Sequence, residues 1–345
     1  MSSSTENENP TGAENEDGYE DRVRSELHYF QEGLGSLALP DAHHYWSNKY
    51  LRPEVERVYG VSGPIETYVV DCVAAFRSTG SHRILSVGCG RGENEIQIAR
   101  RLLSEGFDDV RIDCMDLAPR LCDAGRALAE AEGVGEHIRF VEEDMNTWRA
   151  DEEASYSVII ANEILHHICE LEWFFQSARS ALAPGGKLLT RDMIGRNGHV
   201  CWPEAKAVVD QIWEHMPERY RYDHIFKRRF DQYPNRDCST EGFEGIRSQD
   251  VLELLLENFH FERFVAYGGV IERFTGRAFG HNLDLKAHEG DRVFVDMVYL
   301  LNQSLISAGA IKPTQAIATL TREPCPETVS GYGFTPEFCL RKTSP

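Results

Sequence analysis

Residues suited to proton transfer cluster in one short segment, Asn162-Glu-Ile-Leu-His-His-Ile-Cys-Glu-Leu171. Imidazoles and carboxylates placed this close together can remove a proton from an acceptor atom. We therefore take Glu163, His166, His167 and Glu170 as the candidate catalytic residues. Two other interpretations stay open, because a histidine pair can serve packing and because an acid at Glu170 suits a helix that begins near Leu171. No metal ligands are expected, since no set of acidic residues accompanies the histidines.

A glycine-rich turn, VGCGRGENE, precedes this segment and carries Gly88, Gly90 and Gly92. It joins a predicted strand, residues 83–88, to a predicted amphipathic helix, residues 94–106. Glycines at such a turn let backbone amides approach a ligand closely at the N-terminus of a helix. The GxGxG spacing lacks the third glycine of the dinucleotide pattern and the GK[ST] ending of a P-loop. The turn alone therefore indicates a nucleotide-type ligand without identifying it.

Two acids end the next two predicted strands, Asp116 in VRIDCMD and Asp144 in IRFVEED. An acid at the end of the second strand can accept hydrogen bonds from two ribose hydroxyls. Asp144 is then placed to receive an adenine amino group. Either acid could instead cap a helix, but the turn and the two acids come in the order that a nucleoside site requires.

Strands alternate with helices from residue 83 onward, which predicts an α/β fold with a buried parallel sheet. The predicted domains and their parts are a disordered acidic tail (1–21), a helical N-terminal extension or lid (22–80), a main domain (81–323) with inserts at 195–247 and 271–311, and a C-terminal tail (324–345).

The sequence from residue 83 to 194 resembles the class I S-adenosylmethionine-dependent methyltransferases. The resemblance lies in ILSVGCGRG, the acids of DCMDLAP and EEDMNTW, the segment IIANEILHHI and the signature LAPGGKLL. It implies a Rossmann-like sheet of seven strands, with an antiparallel last strand (312–322) beside the sixth and helical inserts over the active site. It also implies S-adenosyl-L-methionine as cofactor, bound by Gly88, Cys89, Gly90, Gly92, Asp116, Leu117, Asp144, Met145 and Asn162. Ser86 departs from the family, which has an acid at this position.

The insert 195–247 is rich in aromatic and cationic side chains. By its position after the fifth strand we expect it to cover the acceptor pocket, because ligands of parallel α/β sheets bind beyond the carboxyl ends of the strands. The candidate substrate-binding residues are Trp202, Trp213, Tyr222 and Arg228. Stacking on RNA bases and a plain surface helix pair are the two alternatives.

The composition narrows the classes of partner. The 345 residues carry a net charge of −20, so the chain as a whole has no attraction for nucleic acid or an anionic membrane. Nine cysteines without a CxxC pair, and no apolar run of about 18 residues, predict a cytoplasmic protein. We expect a small-molecule acceptor as partner, no nucleic acid and no membrane, with a homodimer left open.

The predicted activity is methylation of a small molecule of the secondary-metabolite type at carbon, oxygen or nitrogen. A basic, aromatic pocket suits an anionic apolar acceptor such as a prenyl diphosphate or an aromatic acid. Three alternatives remain: cyclisation of the cofactor with release of methylthioadenosine, methylation of RNA or protein, and a catalytically silent cofactor-binding partner subunit.

Overall fold

The computed structural model describes residues 12–31, 37–150, 153–240 and 242–341. Within these ranges the chain forms one large sheet and a two-stranded ribbon. The strands are β1 (Arg83–Val87), β2 (Arg111–Asp116), β3 (Ile138–Glu142), β4 (Tyr156–Asn162), β5 (Leu182–Met193), β6 (Tyr222–Asp223), β7 (Arg228–Arg229), β8 (His260–Tyr267), β9 (Gln315–Thr321) and β10 (Val329–Ser330).

The large sheet has the order β10-β8-β9-β5-β4-β1-β2-β3. All neighbours pair in parallel except β9, which runs antiparallel to both β5 and β8. The predicted α/β fold and the antiparallel strand beside the sixth are therefore confirmed. The sheet has eight strands rather than seven, because Val329–Ser330 pairs with the outer edge of β8. The Thr328 hydroxyl anchors this addition by donating to the Phe261 carbonyl at 2.8 Å.

Helices cover both faces of the sheet. They are α1 (Gly12–Gln31), α2 (Asp41–Trp46), α3 (Arg52–Tyr59), α4 (Pro64–Thr79), α5 (Glu93–Ser104), α6 (Pro119–Ala131), α7 (Leu171–Ala181), α8 (Pro203–His215), α9 (Ser248–Asn258), α10 (Val270–Thr275), α11 (Glu289–Ser307) and α12 (Pro336–Cys339), with a π-helical turn at Ser47–Leu51. None of the helices in the described ranges is long and apolar enough to cross a membrane.

The core consists of two apolar layers, one on each face of the sheet. Successive residues of β1 point to opposite faces, so Ile84 joins one layer and Leu85 the other. Phe76 of α4 is buried in the first layer and Phe174 of α7 in the second. Burial on both faces holds the parallel strands in register, and their carboxyl ends consequently meet at one edge of the sheet.

Helix α1 differs from the disorder expected for residues 1–21. Residues 12–21 are helical, and residues 1–11 lie outside the described part of the chain. The Tyr19 hydroxyl donates a hydrogen bond to Asp144, and the Tyr19 ring lies 5.5 Å from that of Phe243. The Arg22 guanidinium donates to the Ser239 carbonyl at 3.0 Å. These contacts with distant segments stabilise the helix, and composition alone does not reveal them.

Residues 324–345 also differ from the expected tail. Strand β10 and helix α12 lie there, while residues 342–345 fall outside the described part. Thr335 caps α12 by accepting the Phe338 N–H at 3.2 Å. The Arg341 guanidinium donates to the Glu204 carboxylate of α8 at 3.0 Å. The end of the described chain thus packs against the insert 195–247.

Candidate active site

The glycine turn between β1 and α5 has a left-handed backbone at Gly88, Gly90 and Gly92, with φ of +64°, +58° and +66°. A side chain at Gly88 would collide with Ile164, and one at Gly92 would meet Phe140 at 2.7 Å. A Cβ added at Gly90 has no atom within 4 Å. Two of the glycines therefore serve packing, whereas the backbone of Gly90 borders open space.

Ser86 precedes this turn and is buried in β1. Its hydroxyl donates to the Glu95 carboxylate at 2.8 Å. Glu95 lies in the first turn of α5 and is itself buried, and this burial raises the pKa of its carboxyl group. A carboxyl group from α5 thus lies beside the strand position where the resemblance predicted an acid.

Asp116, the last residue of β2, braces the glycine turn. One carboxylate oxygen accepts the Gly90 N–H at 2.8 Å and the other accepts the Ala118 N–H at 2.9 Å. Burial raises the pKa of Asp116, and these two hydrogen bonds oppose the rise. Each carboxylate oxygen retains a further lone pair, so the group can also accept hydrogen bonds from a ligand.

Cys89 and Leu117 follow Gly88 and Asp116 in the two turns and are half-buried. The Cys89 N–H donates to the Met115 carbonyl at 3.2 Å, which joins the turn after β1 to the end of β2. The two predicted cofactor contacts therefore lie side by side at the carboxyl edge.

Asp144 lies beyond β3 and is held by its own loop. It accepts the Asn146 N–H at 2.9 Å as well as the hydrogen bond from Tyr19. Burial, followed by the contact with Asp144, raises the pKa of Tyr19, so its hydroxyl keeps its proton. Met145, the next residue, is buried in the core. The carboxylate expected to receive adenine is therefore in contact with helix α1.

Asn162 and Glu163 lie at the end of β4. The Asn162 side-chain oxygen accepts the Tyr68 hydroxyl at 2.8 Å. Glu163 has a left-handed backbone (φ +53°), and its exposed carboxylate lies 3.5 Å from Arg191 Nε. Arg191 also donates to the Tyr267 hydroxyl at 3.0 Å. A cation, a carboxylate and an amide thus share the edge between β4 and β5.

His166 is buried and oriented by Asp192 of β5. Its Nδ1 donates to the Asp192 carboxylate at 2.6 Å, and the same carboxylate accepts the N–H groups of Ile164 (2.9 Å) and Leu165 (2.7 Å). Burial alone would lower the pKa of His166, but the carboxylates of Asp192 and Glu244 raise it to about 10. The two carboxylates therefore favour the protonated ring.

The ring of His167 is tilted by 45° against that of His166, with ring centroids 4.3 Å apart. Its Nδ1 lies 3.7 Å from Glu26 of α1 and its Nε2 lies 3.6 Å from Glu244. Burial, followed by the positive charge of His166, lowers the pKa of His167 to about 4. At neutral pH this imidazole is uncharged and can accept a proton.

His199 and Glu244 complete the histidine cluster, although sequence reasoning missed both. His199 Nε2 is hydrogen-bonded to Glu244, whose carboxylate also lies 3.5 Å from Nε2 of His166. The two residues stand near opposite ends of the insert 195–247, and the Gly198 N–H donates to the Gly245 carbonyl at 2.8 Å. No sequence spacing relates segments so far apart. The position of His199 shortly after the end of β5 could nevertheless have marked it as a candidate site residue.

Glu170 lies away from this cluster, at the N-terminus of α7. Its backbone N–H donates to the Asn146 side chain at 3.1 Å. Its side chain is exposed, and no hydrogen bond joins it to the imidazoles in the part of the chain that the structure describes. Glu170 thus precedes the first residue of α7, as the helix-start interpretation predicts.

The two tryptophans predicted to bind the acceptor lie apart. Trp213 is buried, 4.9 Å from the ring of Phe279, and donates from Nε1 to the Asp231 carbonyl at 3.1 Å. Trp202 precedes α8 and stacks 4.2 Å from the guanidinium of Arg341. Trp213 therefore belongs to the core of the insert.

Tyr222 and Arg228 lie on the β6–β7 ribbon. The Tyr222 carbonyl accepts a hydrogen bond from Asn282 at 2.7 Å, and the exposed Arg228 lies over the ring of Phe230 at 4.5 Å. The structure thus does not bring the four predicted acceptor residues together. The ends of the insert, rather than its aromatic middle, reach the histidine cluster.

Comparison with known proteins finds a family similar to part of this chain. The family described as a methyltransferase domain matches residues 84–186. A ubiquinone biosynthesis O-methyltransferase of Methylocella silvestris is 30% identical over 140 residues, which are 40% of this chain and 48% of that protein. A trans-aconitate 2-methyltransferase of Streptomyces coelicolor is 29% identical over 106 residues, 31% of this chain and 33% of that protein. The chain thus spans about half of the first relative and a third of the second.

Solved structures give weaker likenesses. The O-methyltransferase from a trans-AT PKS multienzyme of Brevibacillus brevis, in complex with S-adenosyl-L-homocysteine, has a TM-score of 0.43 and 17% identity, covering 80% of this chain and 76% of that one. Geranyl diphosphate C-methyltransferase from Streptomyces coelicolor has a TM-score of 0.41 and 15% identity, covering 91% and 86%. At TM-scores and identities this low, neither similarity indicates which ligands this chain binds.

Proposed function

We propose that this chain, whose residues 84–186 belong to the methyltransferase domain family, transfers the methyl group of S-adenosylmethionine to a small molecule. One observation carries the proposal. Within the matched range, the Asp116 carboxylate holds the open Gly90 turn, which gives backbone and carboxylate together at the carboxyl edge of the sheet. A nucleoside with an amino-acid side chain needs this combination.

The residues at this edge fit the cofactor. The space beside Gly90 would admit its amino-acid part, Asp116 would accept the ribose hydroxyls, and Asp144 would receive the adenine amino group. When bound, the cofactor supplies a methyl group on a positively charged sulfur, which is a good leaving group. The protein then has to align the acceptor with that methyl group and exclude water.

His167 is the best-placed group to take a proton from an oxygen or nitrogen acceptor. It is neutral at pH 7, whereas His166 beside it is already protonated. The carboxylates of Glu26 and Glu244 lie 3.7 Å and 3.6 Å from its two nitrogens, and the charge of Glu244 offsets part of the burial and of the His166 charge that lower its pKa. We assign His167 as the base and His166 as the group that positions it.

The acceptor is proposed to be a small molecule with an anionic group. Arg191 at the end of β5 faces one carboxylate, Glu163, at 3.5 Å, and an acceptor carboxylate or phosphate could pair with the same guanidinium. The names of both curated relatives refer to small-molecule metabolism, which supports this class. An aromatic acid or a prenyl diphosphate of secondary metabolism meets both requirements.

The compartment is proposed to be the cytoplasm. All nine cysteines are free, and five of them are buried. Unpaired thiols persist in a reducing compartment, where disulfides are rare.

The products of the reaction test the proposal. The purified chain is incubated with S-adenosylmethionine and a panel of aromatic acids and prenyl diphosphates, and the mixture is analysed by mass spectrometry. We expect S-adenosylhomocysteine together with an acceptor that has gained one CH2 unit, and smaller amounts of both products from Asp116→Ala at a limiting donor concentration. Methylthioadenosine, or turnover with RNA or protein acceptors only, would contradict the proposal.

A further inference from the structure

We propose that His166, His199 and Glu244 form a binding site for a divalent transition-metal cation, with Zn²⁺ as its representative. The site is separate from the cofactor contacts, and its occupation can be measured without a methyl donor or an acceptor. It consists of two imidazoles and one carboxylate that the fold brings together from three segments.

The distances among the three side chains suit a small cation. Their ligand atoms all lie within 4.8 Å of one another. His166 Nε2 is 3.5 Å from the Glu244 oxygen to which His199 Nε2 is hydrogen-bonded. Zn²⁺ holds nitrogen and oxygen ligands at about 2.0–2.1 Å in a tetrahedron, which places neighbouring ligands about 3.3 Å apart. A small side-chain movement that opens the His199–Glu244 hydrogen bond would admit the ion.

The orientation of His166 is the second observation. Its Nδ1 is engaged by Asp192 at 2.6 Å, which leaves Nε2 directed at Glu244. A metal ion bound at Nε2 would replace the proton on this nitrogen, which would be released to solvent. Metal-binding histidines commonly donate their other nitrogen to a carboxylate in this way, because the contact fixes the ring and makes it a stronger ligand. Asp192 is itself held by the backbone N–H groups of Ile164 and Leu165, so the whole arrangement is rigid.

His199 is held in an unfavourable backbone conformation at the same place. Its φ is +56°, in the left-handed region that non-glycine residues seldom adopt. The Arg273 guanidinium donates to its carbonyl at 2.9 Å, and the hydrogen bond between Gly198 and Gly245 ties its segment to that of Glu244. Strain of this kind persists where surrounding contacts enforce it, often at binding sites.

The charges around the site favour a dication. Three carboxylates, Asp192, Glu244 and Glu26, surround His166, His167 and His199. Two imidazoles with one carboxylate suit Zn²⁺ or Fe²⁺ better than Mg²⁺, which prefers oxygen ligands. Three protein ligands also leave one position for water or for an oxygen atom of a bound molecule.

Calorimetric titration of the metal-free full chain with ZnCl2 tests the proposal. We expect one ion per chain, bound more tightly than Mg²⁺, and an affinity about 100-fold lower in His199→Asn and in Glu244→Gln. Asparagine is chosen because it tolerates the left-handed backbone. The control is His224→Asn, which removes a histidine from a second pair, His224 and His281, whose rings lie 5.2 Å apart; it should bind zinc as the parent does.

A Co²⁺ spectrum of the unmodified chain provides a readout that does not depend on the variants folding. We expect the intense visible bands of a four- or five-coordinate ion, removed by an equivalent of Zn²⁺. The proposal is overturned if the parent binds no stoichiometric ion, if the spectrum is that of octahedral Co²⁺, or if folded His199→Asn and Glu244→Gln bind zinc unchanged. Each of these results leaves methyl transfer untouched, so failure here is distinguishable from failure of the proposed function.

Discussion

The hydroxyl of Tyr19 donates a hydrogen bond to the carboxylate of Asp144, 125 residues further along the chain. The same helix, α1, places Glu26 3.7 Å from His167. Helix α1 thus contacts both the proposed adenine acceptor and the proposed base. A nucleoside that needs Asp144 must compete with Tyr19 for this carboxylate.

Tyr19→Phe should therefore tighten the binding of S-adenosylhomocysteine by about fivefold, because it removes a competing hydrogen bond of about 1 kcal/mol. Calorimetric titration measures the change. Tyr45→Phe is the matched control, since the Tyr45 hydroxyl donates to Asp296 at 3.2 Å, another tyrosine–aspartate pair. Weaker binding in Tyr19→Phe would show instead that Tyr19 contributes to the nucleoside site.

Gly90→Ala should lower affinity for S-adenosylhomocysteine by at least about tenfold, because its methyl group enters the space proposed for the ligand. Because Gly90 has a φ of +58°, alanine at this position should also lower the free energy of unfolding by about 1 kcal/mol. Gly133→Ala controls for that cost, since Gly133 has φ +72° and equally open surroundings outside the site. Equal affinities of the two variants for S-adenosylhomocysteine would contradict the proposal that the ligand binds beside Gly90.

His167→Ala should lower turnover by about 10²–10⁴-fold with an oxygen or nitrogen acceptor, while affinity for S-adenosylhomocysteine stays within a few-fold. The reason is that His167 is the neutral imidazole of the cluster. Initial rates with saturating donor measure the effect, and His215→Ala on α8 serves as control. Unchanged turnover in His167→Ala would contradict the assignment of His167 as the base and favour a packing role for the histidine pair.

His43 should make the protein sensitive to acid. Burial, followed by the charge of Arg191, lowers its pKa to about 4, so the folded state binds this proton less readily than the unfolded state, whose histidine pKa is about 6.5. Stability is therefore complete above pH 6.5 and falls as the pH drops toward 4. Between pH 7 and pH 5 the loss is about 2 kcal/mol.

Urea unfolding of the parent and of His43→Gln at pH 7 and pH 5 checks this expectation. The parent should lose about 2 kcal/mol more of its free energy of unfolding than the variant. His44→Gln, at the exposed neighbouring position, should behave as the parent does. Equal pH dependence in the parent and His43→Gln would contradict the assignment.

The arrangement of the residues proposed to bind the cofactor was predictable because its signals are local. Glycines at a strand end, followed by Asp116 and Asp144 at the ends of the next two strands, stand in chain order, and the parallel sheet brings strand ends together. The contact between Ser86 on β1 and Glu95 on α5 was not predictable from the sequence. The sequence identifies Glu95 only as an acid in the first turn of a helix, and the structure is needed to show its contact with Ser86.

The histidine cluster was only half predictable. His166 and His167 are adjacent in sequence. His199 and Glu244 contact them only because the insert 195–247 folds back on itself, and the sequence pattern of the insert does not predict that fold. The aromatic middle of that insert was misleading for a physical reason. Large apolar rings such as that of Trp213 stabilise the core of the insert by burial, and composition does not distinguish this use from a ligand pocket.

Calorimetric titration of the full chain with S-adenosylhomocysteine, alone and with Asp116→Ala, tests the central claim most directly. We expect one nucleoside per chain and a loss of about 1.5–3 kcal/mol in Asp116→Ala, roughly 10–150-fold, because charge-assisted hydrogen bonds to the ribose and the hydrogen bond to the Gly90 N–H disappear together. Asp123→Ala, an exposed acid on α6, should bind as the parent does. No binding by the parent, or equal binding by the parent and Asp116→Ala, would contradict the account.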